Sequence, residues 1–320
     1  MGRVVPATLL VNPAAGRGGA VRKIALTREA FGRRNYCIKI AATESVEEFR
    51  SAANEALEDG SRTLIAMGGD GTMRLLTNEI LANRRVSEET GAIEEKGPAG
   101  RDVLLGVIPA GGGNDFATAL GIPKTIQGAV DVVVRGKSRM VDAVRVRTSD
   151  GRNAIYLAGG GIGLDALAMR YANGRFVKWP GRLRYVASAI AALRGFPGIE
   201  AEVEFSGTDR PKIIRRVLLA AVLNTPTFGG GLRIAPPAEL DDGTLELALI
   251  EMLRKSEVLA LLPRLLFTGE LRTSRVVRAR AAKIKLTSRS EAWFQGDGEL
   301  LGRAPVEIEV LPRALRMLVP

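Results

Sequence analysis

The sequence predicts an α/β domain built on a parallel sheet, followed by a mostly β domain. Up to about residue 140, short apolar runs alternate with segments of helical periodicity, which is typical of a parallel sheet covered by helices. Beyond residue 140, runs rich in Val, Ile, Leu and Thr are separated by Gly, Pro or Asp at the spacing of antiparallel strands. A length of 320 residues suits two domains of ordinary size.

The first half of the chain starts with an apolar strand at residues 4–11 and a helix through about residue 34. Ser45 and Glu48 form a capping-box pattern that starts a second helix, and Gly60 ends it. The following elements are predicted as a strand at 63–67, a glycine loop at 68–71, a helix to about residue 83, an exposed loop at 84–102, a strand at 103–108 and a helix at 126–135.

Polar and glycine-rich loops follow three of these strands, at Asn12, at 68–72 and at 111–115. Ligands of parallel sheets bind beyond the carboxyl ends of the strands, so the three loops are expected to converge at one edge. The second half is predicted to hold strands at 141–148, 200–206, 213–223, 244–250 and 274–287, with one helix at 181–195 that either packs internally or lines the path of an apolar ligand.

The residues that are missing restrict the chemistry. The chain has no histidine, which excludes Ser–His and Cys–His nucleophilic sites and zinc sites that use histidine. Acid–base chemistry must then come from Asp, Glu, Lys or Tyr, and a metal must be held by oxygen ligands, which favours magnesium or calcium. The single cysteine, Cys37, fits a reducing cytoplasm.

The net charge of +11 favours anionic partners. Residues 254–289 hold ten Lys and Arg and two acids, which indicates either a solvated basic face or a membrane-surface patch. Aromatic residues do not interleave with these basic residues, so a nucleic-acid partner is not expected. No apolar run of spanning length and no signal-peptide layout is found, so the expected location is cytoplasmic, peripheral to the inner face of the membrane.

Each glycine loop taken alone is compatible with an ordinary tight turn. The loop NPAAGRGG at 12–19 lacks the GK[ST] ending of a P-loop, and GGDGT at 68–72 is not a dinucleotide fingerprint. Their combination is more specific. Asn-Pro-x-x-Gly, GGDGT and GGNDF at successive strand ends resemble the diacylglycerol kinase catalytic family, which includes sphingosine, ceramide and bacterial lipid kinases. Residues 223–247 and GDGE at 296–299 resemble the second half of that family.

The resemblance implies an ATP- and Mg²⁺-dependent kinase that phosphorylates a lipid hydroxyl, of a diacylglycerol-like or sphingoid lipid, at an anionic membrane surface. It implies a Rossmann-like α/β domain related to NAD kinase at residues 1–140, with a C-terminal return segment at about 306–320. It also implies a β-rich sandwich domain for the lipid at residues 141–305. A homodimer is compatible with the sequence.

The resemblance also implies the nucleotide-binding residues. They are Asn12, Pro13, Ala14, Ala15, Gly16, Thr43, Gly68, Gly69, Asp70, Gly71, Thr72, Gly112, Asn114 and Asp115. Glycine amides can point at phosphate with no side chain in the way, while an acid within the loop can hold the Mg²⁺ that bridges the phosphates.

The metal and catalytic residues are implied in the same way. Asp70, Asp115 and Asp142 match acids of a metal–water network, and a second, structural Mg²⁺ is expected at Glu239, Asp242 and Thr244. The proton acceptor is assigned to GDGE, with Glu299 slightly favoured over Asp297. The simpler alternatives are an N-cap or turn role for Asp115, and turn roles for Asp142, Asp242 and the GDGE acids.

Several positions depart from the family pattern. Gly112 stands where Thr is usual, Ala158 where Asn is usual, and Arg74 where an Asn-Glu pair often begins. We hypothesise that Arg74 contacts phosphate directly. These departures keep two alternatives open, a catalytically weak nucleotide- or lipid-binding module and a soluble-substrate kinase of the NAD kinase type.

Overall fold

A computed structural model describes residues 7–12, 19–82, 84–86, 93–95, 103–179, 181–269, 271 and 273–320. The chain forms two compact units. Unit 1 comprises Met1–Asp142 and Leu311–Pro320, and unit 2 comprises Ala143–Val310. The predicted boundaries were 140/141 and 305/306, and the structure places them at 142/143 and 310/311. The predicted fold class, an α/β domain plus a β-rich domain, is confirmed.

The elements up to residue 135 belong to unit 1. They are β1 (Ala7–Val11), α1 (Gly19–Gly32), β2 (Ile38–Ala42), α2 (Val46–Glu58), β3 (Thr63–Gly68), α3 (Asp70–Ala82), β4 (Arg84–Val86), β5 (Ile93–Glu95), β6 (Leu104–Pro109), α4 (Asp115–Ala119) and α5 (Ile126–Arg135).

The following elements complete the chain. They are β7 (Ser138–Thr148), β8 (Asn153–Tyr156), β9 (Gly159–Gly163), α6 (Leu164–Asn173), α7 (Gly181–Gly195), β10 (Ile199–Phe205), β11 (Ile213–Leu223), β12 (Leu245–Glu251), α8 (Lys255–Thr268), β13 (Val276–Ala281), β14 (Lys283–Ser288), β15 (Trp293–Gly296), β16 (Glu299–Arg303) and β17 (Val306–Leu318).

The core of unit 1 is a parallel sheet in the order β2–β1–β3–β6, to which the second half of β17 adds a further parallel strand. Almost every residue of β1, β3 and β6 is buried, because helices cover both faces of such a sheet. With all strands parallel, their carboxyl ends lie at one edge, where the predicted loops begin.

The helix signals of unit 1 act as the sequence predicts. The Glu48 N–H donates to Ser45 Oγ (3.1 Å), and the Glu48 carboxylate accepts from the Glu44 N–H (2.7 Å). Gly60 has φ +82°, a left-handed conformation that glycine adopts without strain. Within the predicted loop at 84–102, the described residues differ from the prediction, because β4 and β5 pair as antiparallel strands. Strands of three residues are too short to show a period.

Unit 2 is built on antiparallel strands in the order β16–β15–β9–β11–β10–β14, followed by the first half of β17. The strand β12 pairs with both β11 and β13. The inward faces of these strands meet in one apolar core that includes Tyr156, Val222, Leu247 and Phe294. A second apolar cluster, with Leu219, Ala248 and Ile250, lies on the opposite face of the same strands.

Three features of unit 2 differ from the prediction. The single helix predicted at 181–195 is correct, but α6 and α8 are two further helices. The helix α8 was not predicted because it contains Pro263, and proline usually ends or kinks a helix. The strand predicted at 274–287 is two strands, β13 and β14.

Candidate active site

Two glycine loops of unit 1 contact each other at the carboxyl edge of its sheet. The Ala110 N–H donates to the Gly68 carbonyl (2.8 Å), and a Cβ added to Gly111 would lie 2.5 Å from Gly69 Cα. Only glycine permits this approach, which explains the glycine content of both loops. The sequence-predicted loops at 68–72 and 111–115 are therefore brought together.

Asn12 and Thr43 lie at the same edge. The Asn12 side-chain amide donates to Thr72 Oγ1 (3.3 Å), and both the backbone N–H and the hydroxyl of Thr43 bond to the Val11 carbonyl. The other predicted residues of the first loop, Pro13, Ala14, Ala15 and Gly16, lie outside the described residues.

Asp70 begins α3 and links the two glycine loops. Its carboxylate oxygens accept the backbone N–H groups of Asp115 (2.9 Å) and Phe116 (3.0 Å), which are the first two residues of α4. The acid therefore caps α4 and fixes the GGNDF loop against the GGDGT loop. Asn114, just before, has φ +60°, and its side chain closes the turn on Gly111.

Asp70 and Asp115 form a close pair of carboxyl groups. The pKa of Asp70 is raised to about 6: burial raises it most, the negative charge of Asp115 also raises it, and backbone hydrogen bonds from residues 114–116 oppose the rise. Asp115 itself is buried. Two like charges in a desolvated site favour a cation, and Mg²⁺ commonly binds through one or two carboxylates and water. This donor pair fits a Mg²⁺ ion.

The third predicted acid of this group, Asp142, is fully buried and accepts the Arg313 N–H (2.7 Å). This contact ties the last part of unit 1 to β7. Among the residues that the structure describes, no three Asp, Glu or Cys side chains gather closely enough to hold a metal together. The turn role considered for Asp142 is thus observed, whereas Asp70, and not Asp115, caps α4. A role of Asp115 and Asp142 near a metal stays a prediction.

The two departures in unit 1 have clear surroundings. Gly112 is exposed, and nothing lies within 4 Å of a Cβ added there, so the position has room for the usual Thr. Arg74 lies on α3 and is buried, with 7% of its surface exposed. A phosphate contact by Arg74 stays a hypothesis.

The GDGE turn of unit 2 is held by Asp297. This residue has φ +49°, and its carboxylate accepts three backbone N–H groups, from Leu157 (2.7 Å), Ala158 (2.9 Å) and Gly159 (3.3 Å). Its own N–H donates to the Gly159 carbonyl. A carboxylate occupied in this way is suited to holding a turn rather than to taking a proton from a substrate. The neighbouring Glu299 is exposed.

A buried pair next to this turn was missed at the sequence level. Gln295 donates to Asp165 Oδ2 (2.8 Å) and accepts the Gly298 N–H (3.1 Å), so it fixes the turn to the start of α6. Burial raises the pKa of Asp165 to about 6, while the Gln295 hydrogen bond lowers it. The available signal in the sequence was an acid two positions after the glycine-rich run 159–163. In the structure the two are close, since a Cβ added at Gly161 would lie 3.3 Å from Asp165 Oδ2.

The predicted structural Mg²⁺ position at 239–244 contains an arginine cation. Asp242 Oδ1 accepts both the N–H and the hydroxyl of Thr244 (2.9 Å each), and Oδ2 accepts from Arg280 (2.8 Å). Arg280 also pairs with the buried Glu246. Glu239 is exposed. Arg280 therefore occupies the position beside Asp242 and Glu246 where a cation would bind, and a structural Mg²⁺ at this turn stays a prediction.

Two family models match the chain. The diacylglycerol kinase catalytic domain matches residues 6–146, and the YegS C-terminal NAD kinase beta sandwich-like domain matches residues 159–319. The chain belongs to the diacylglycerol kinase family. Together these models cover unit 1 and unit 2 almost completely, and the family resemblance seen in the loop motifs is confirmed.

Relatives of this family align along the whole chain. A "Probable lipid kinase YegS-like" of Serratia proteamaculans is 30% identical, over 98% of this chain and 94% of the relative. A diacylglycerol kinase of Mycobacterium tuberculosis is 28% identical with the same coverage. The fold is similar to a crystal structure of a diacylglycerol kinase from Bacillus anthracis, with a TM-score of 0.65 and 21% identity over 100% of this chain and 98% of that chain.

Proposed function

We propose that the chain transfers the γ-phosphate of ATP to the hydroxyl of a diacylglycerol-like or sphingoid lipid. The observation that carries this proposal is the contact between the two glycine loops of unit 1, which the Asp70 carboxylate holds together. Backbone amides suit phosphate, and paired carboxylates suit the divalent ion that accompanies a nucleotide. Phosphoryl transfer depends mainly on such positioning and charge neutralisation.

Asp70 and Asp115 would hold the Mg²⁺ in unit 1, and the ion would neutralise the charge on the transferring phosphoryl group. Backbone N–H groups of the glycine loops, those of Gly69, Gly71, Gly112 and Gly113, would bind the phosphates. Asn12 and Thr43 would contact the nucleotide. Direct transfer of the phosphoryl group from ATP to the lipid needs no side chain that becomes phosphorylated itself.

Glu299 of unit 2 would be the general base. It would accept the proton of the lipid hydroxyl while that oxygen attacks the γ-phosphorus and the bond to the ADP oxygen breaks. Asp297 and Gln295 would position the turn that carries Glu299. General-base catalysis is worth about 10²–10⁴-fold in rate.

The lipid acceptor implies work at a membrane surface. Among the described residues, no helix is long and apolar enough to cross a bilayer. We therefore propose peripheral association with an anionic leaflet, which the net charge of +11 favours.

Labelled ATP and Mg²⁺, incubated with a panel of lipids, with soluble acceptors or with no acceptor, test the proposed function. We expect label in an organic-phase product with at least one lipid, and its loss in Glu299→Gln. Label in a soluble product would instead indicate a kinase of the NAD kinase type. Nucleotide binding without any product would indicate a binding module, as the departures at Gly112 and Ala158 would allow.

A further inference from the structure

The connection after α6 presents apolar side chains to solvent. We define the docking segment as Arg170–Trp179, the end of α6 and the turns that follow it. Val177 and Trp179 are each 47% exposed, and they are two of the five large apolar side chains with the greatest exposure in the described chain. Phe176 packs edge-on against Trp179, with ring centroids 5.4 Å apart.

Basic side chains surround these apolar groups. Arg170, Arg175 and Lys178 are exposed, and Arg175 lies 5.4 Å from the centre of the Phe176 ring. Between Asp165 and Glu200 the sequence has no acidic residue and six basic ones: Arg170, Arg175, Lys178, Arg182, Arg184 and Arg194. Within the described ranges, none of Arg170, Arg175 and Lys178 forms an ion pair.

The other basic region, at residues 254–289, is different. Arg280 binds Asp242 and Glu246, Arg289 binds Glu200 (2.8 Å), and Arg278 donates to the Ile234 carbonyl. Much of its positive charge therefore has partners inside unit 2. This finding favours a structural role for these arginines over a membrane patch, whereas Arg170, Arg175 and Lys178 of the docking segment form no ion pair among the described residues.

The backbone of the docking segment is hydrogen-bonded internally. The N–H groups of Gly174, Phe176, Val177 and Trp179 donate to carbonyls of residues 170, 171, 174 and 176. Arg184 of α7 donates to the Ala172 carbonyl at the end of α6. These four N–H groups already have acceptors in the protein, so they lose little when the segment leaves water for a lipid interface.

We propose that the docking segment inserts Val177 and Trp179 into the interface of an anionic phospholipid bilayer. Tryptophan prefers the headgroup level of a bilayer, where its ring is apolar and its N–H stays hydrated. The surrounding cations match the negative surface potential of such a leaflet. This inference deepens the proposed function, because it names the surface through which the kinase would reach its lipid.

Tryptophan fluorescence tests the proposal on the full chain. The chain has two tryptophans, so Trp293→Phe leaves Trp179 as the only one. With phosphatidylcholine–phosphatidylglycerol vesicles that contain neither ATP nor an acceptor lipid, we expect a blue shift of this variant and quenching by brominated lipid chains. With phosphatidylcholine alone the shift should be weaker and require more lipid.

Vesicle co-sedimentation of variants gives the second measurement. Arg175→Glu/Lys178→Glu should lower the partition coefficient on anionic vesicles roughly 25-fold or more, since each cation near the leaflet contributes about fivefold. Trp179→Ala should lower it about tenfold. Matched controls are Arg62→Glu/Lys124→Glu, which changes the charge equally on exposed residues of unit 1, and Ile214→Ser, which removes another exposed apolar side chain.

The proposal is overturned if Trp179 shows no blue shift on anionic vesicles, or if the control variants lose binding as much as the docking variants. The second result would mean a non-specific attraction from the net charge. Glu299→Gln should bind vesicles like the parent, because docking does not require turnover. Vesicle binding without kinase activity would therefore contradict the proposed function alone, and activity without insertion of Trp179 would contradict the docking surface alone.

Discussion

Asp297 and Glu299 stand two residues apart, yet their carboxylates have different surroundings. Asp297 accepts three backbone N–H groups from residues 157–159, whereas Glu299 is exposed. The GDGE motif predicted a base in this turn, but it could not separate the two acids. The partners that decide between them lie about 140 positions earlier in the chain, where no local pattern indicates them.

We expect Glu299→Gln and Asp297→Asn to fail for different reasons. Glu299→Gln should lower kcat about 10²–10⁴-fold, because it removes the proton acceptor, and should leave the unfolding temperature nearly unchanged, because the residue is exposed. Asp297→Asn should lower the free energy of unfolding by about 1.5–3 kcal/mol, because charge-assisted hydrogen bonds to the 157–159 backbone are lost. Kinetics and urea unfolding of both variants check this. An unstable Glu299→Gln variant would contradict the assignment of a catalytic role to Glu299 and a structural role to Asp297.

A substitution at Gly112 tests whether ATP affinity can be raised by restoring the Thr that is usual in the family. Nothing lies within 4 Å of a Cβ there, and its φ is not in the left-handed region, so Gly112→Thr should fold normally. The added hydroxyl should improve ATP affinity about 2–10-fold, which is the worth of one hydrogen bond. Calorimetric titration with ATP measures it.

The neighbouring Gly111→Ala is the matched control. Its Cβ would lie 2.5 Å from Gly69 Cα, so this variant should separate the two glycine loops and weaken ATP binding. Equal behaviour of the two glycine variants would mean that the contact between the loops does not shape the nucleotide site.

Asp165 makes stability depend on pH. Its pKa of about 6 in the folded protein lies above the ordinary 3.8, so the folded state binds more protons between these values. The free energy of unfolding should therefore fall as the pH rises from about 4 to about 6, and stay lower above. Asp165→Asn should stabilise the protein by about 1–3 kcal/mol near pH 8 and by little near pH 4.

Urea unfolding at the two pH values measures this difference. Asp150→Asn is a control in which the stability should change with pH in the opposite direction. A hydrogen bond from Thr148 lowers the pKa of that exposed carboxyl instead of raising it. A stability difference for Asp165→Asn that is equal at both pH values would show that folding does not raise the pKa of Asp165.

At the scale of elements, the sequence predicted strands and helices where the pattern was periodic and capped. The helix α5 at 126–135, the helix α7 at 181–195 and the strand β11 at 213–223 have the predicted bounds. The helix α6 was missed because a glycine-rich strand runs directly into it without a side-chain cap. A local sequence pattern predicts the bounds of a helix or strand only when capping or breaking residues mark its two ends.

The turn at residues 239–244 allows a test of whether Arg280, rather than a metal ion, is the cation beside Asp242 and Glu246. With Arg280 on Asp242 and Glu246, we expect that EDTA leaves the unfolding temperature of the protein unchanged in the absence of nucleotide. Arg280→Met should lower the free energy of unfolding by about 1–3 kcal/mol, because the buried Glu246 loses its partner. Added Mg²⁺ should restore part of this loss, since two carboxylates would then face an open position.

The control for this turn is Arg215→Met, which removes a surface pair with Glu251 at 3.4 Å and should cost less than about 1 kcal/mol. Destabilisation of the parent protein by EDTA would contradict the interpretation, because it would show a metal that the Arg280 contacts do not replace.

At the scale of the whole molecule, unit 1 is made of two separate parts of the chain. Residues 311–320 follow unit 2 in sequence but complete the sheet of unit 1, where Leu311, Leu315, Met317 and Leu318 are buried. The family resemblance predicted such a return segment, although composition alone gave no sign of it. Hydrophobic periodicity reports only on residues that are close in sequence. It could not indicate that β17 pairs with β6, because the paired residues lie about 200 positions apart.

A chain that ends at Val310 should therefore lose the stability of unit 1. Each buried aliphatic side chain contributes about 1.5–3 kcal/mol, so removing four costs about 6–12 kcal/mol, which is comparable to the whole stability of a domain, about 5–15 kcal/mol. Scanning calorimetry and limited proteolysis should show an unfolded unit 1 beside a folded unit 2. A chain that ends at Leu318 is the control and should behave like the parent. Retained nucleotide binding by the shorter chain would refute this expectation.

The position of β17 also affects the order of events on the ribosome. Residues 143–310 emerge before the strand that unit 1 still lacks, a delay of about 10–30 s at ordinary rates of translation. During this time β6 has an open edge that can pair with other chains. The nascent polypeptide is thus most exposed to aggregation, and to capture by chaperones, while its second unit is being synthesised.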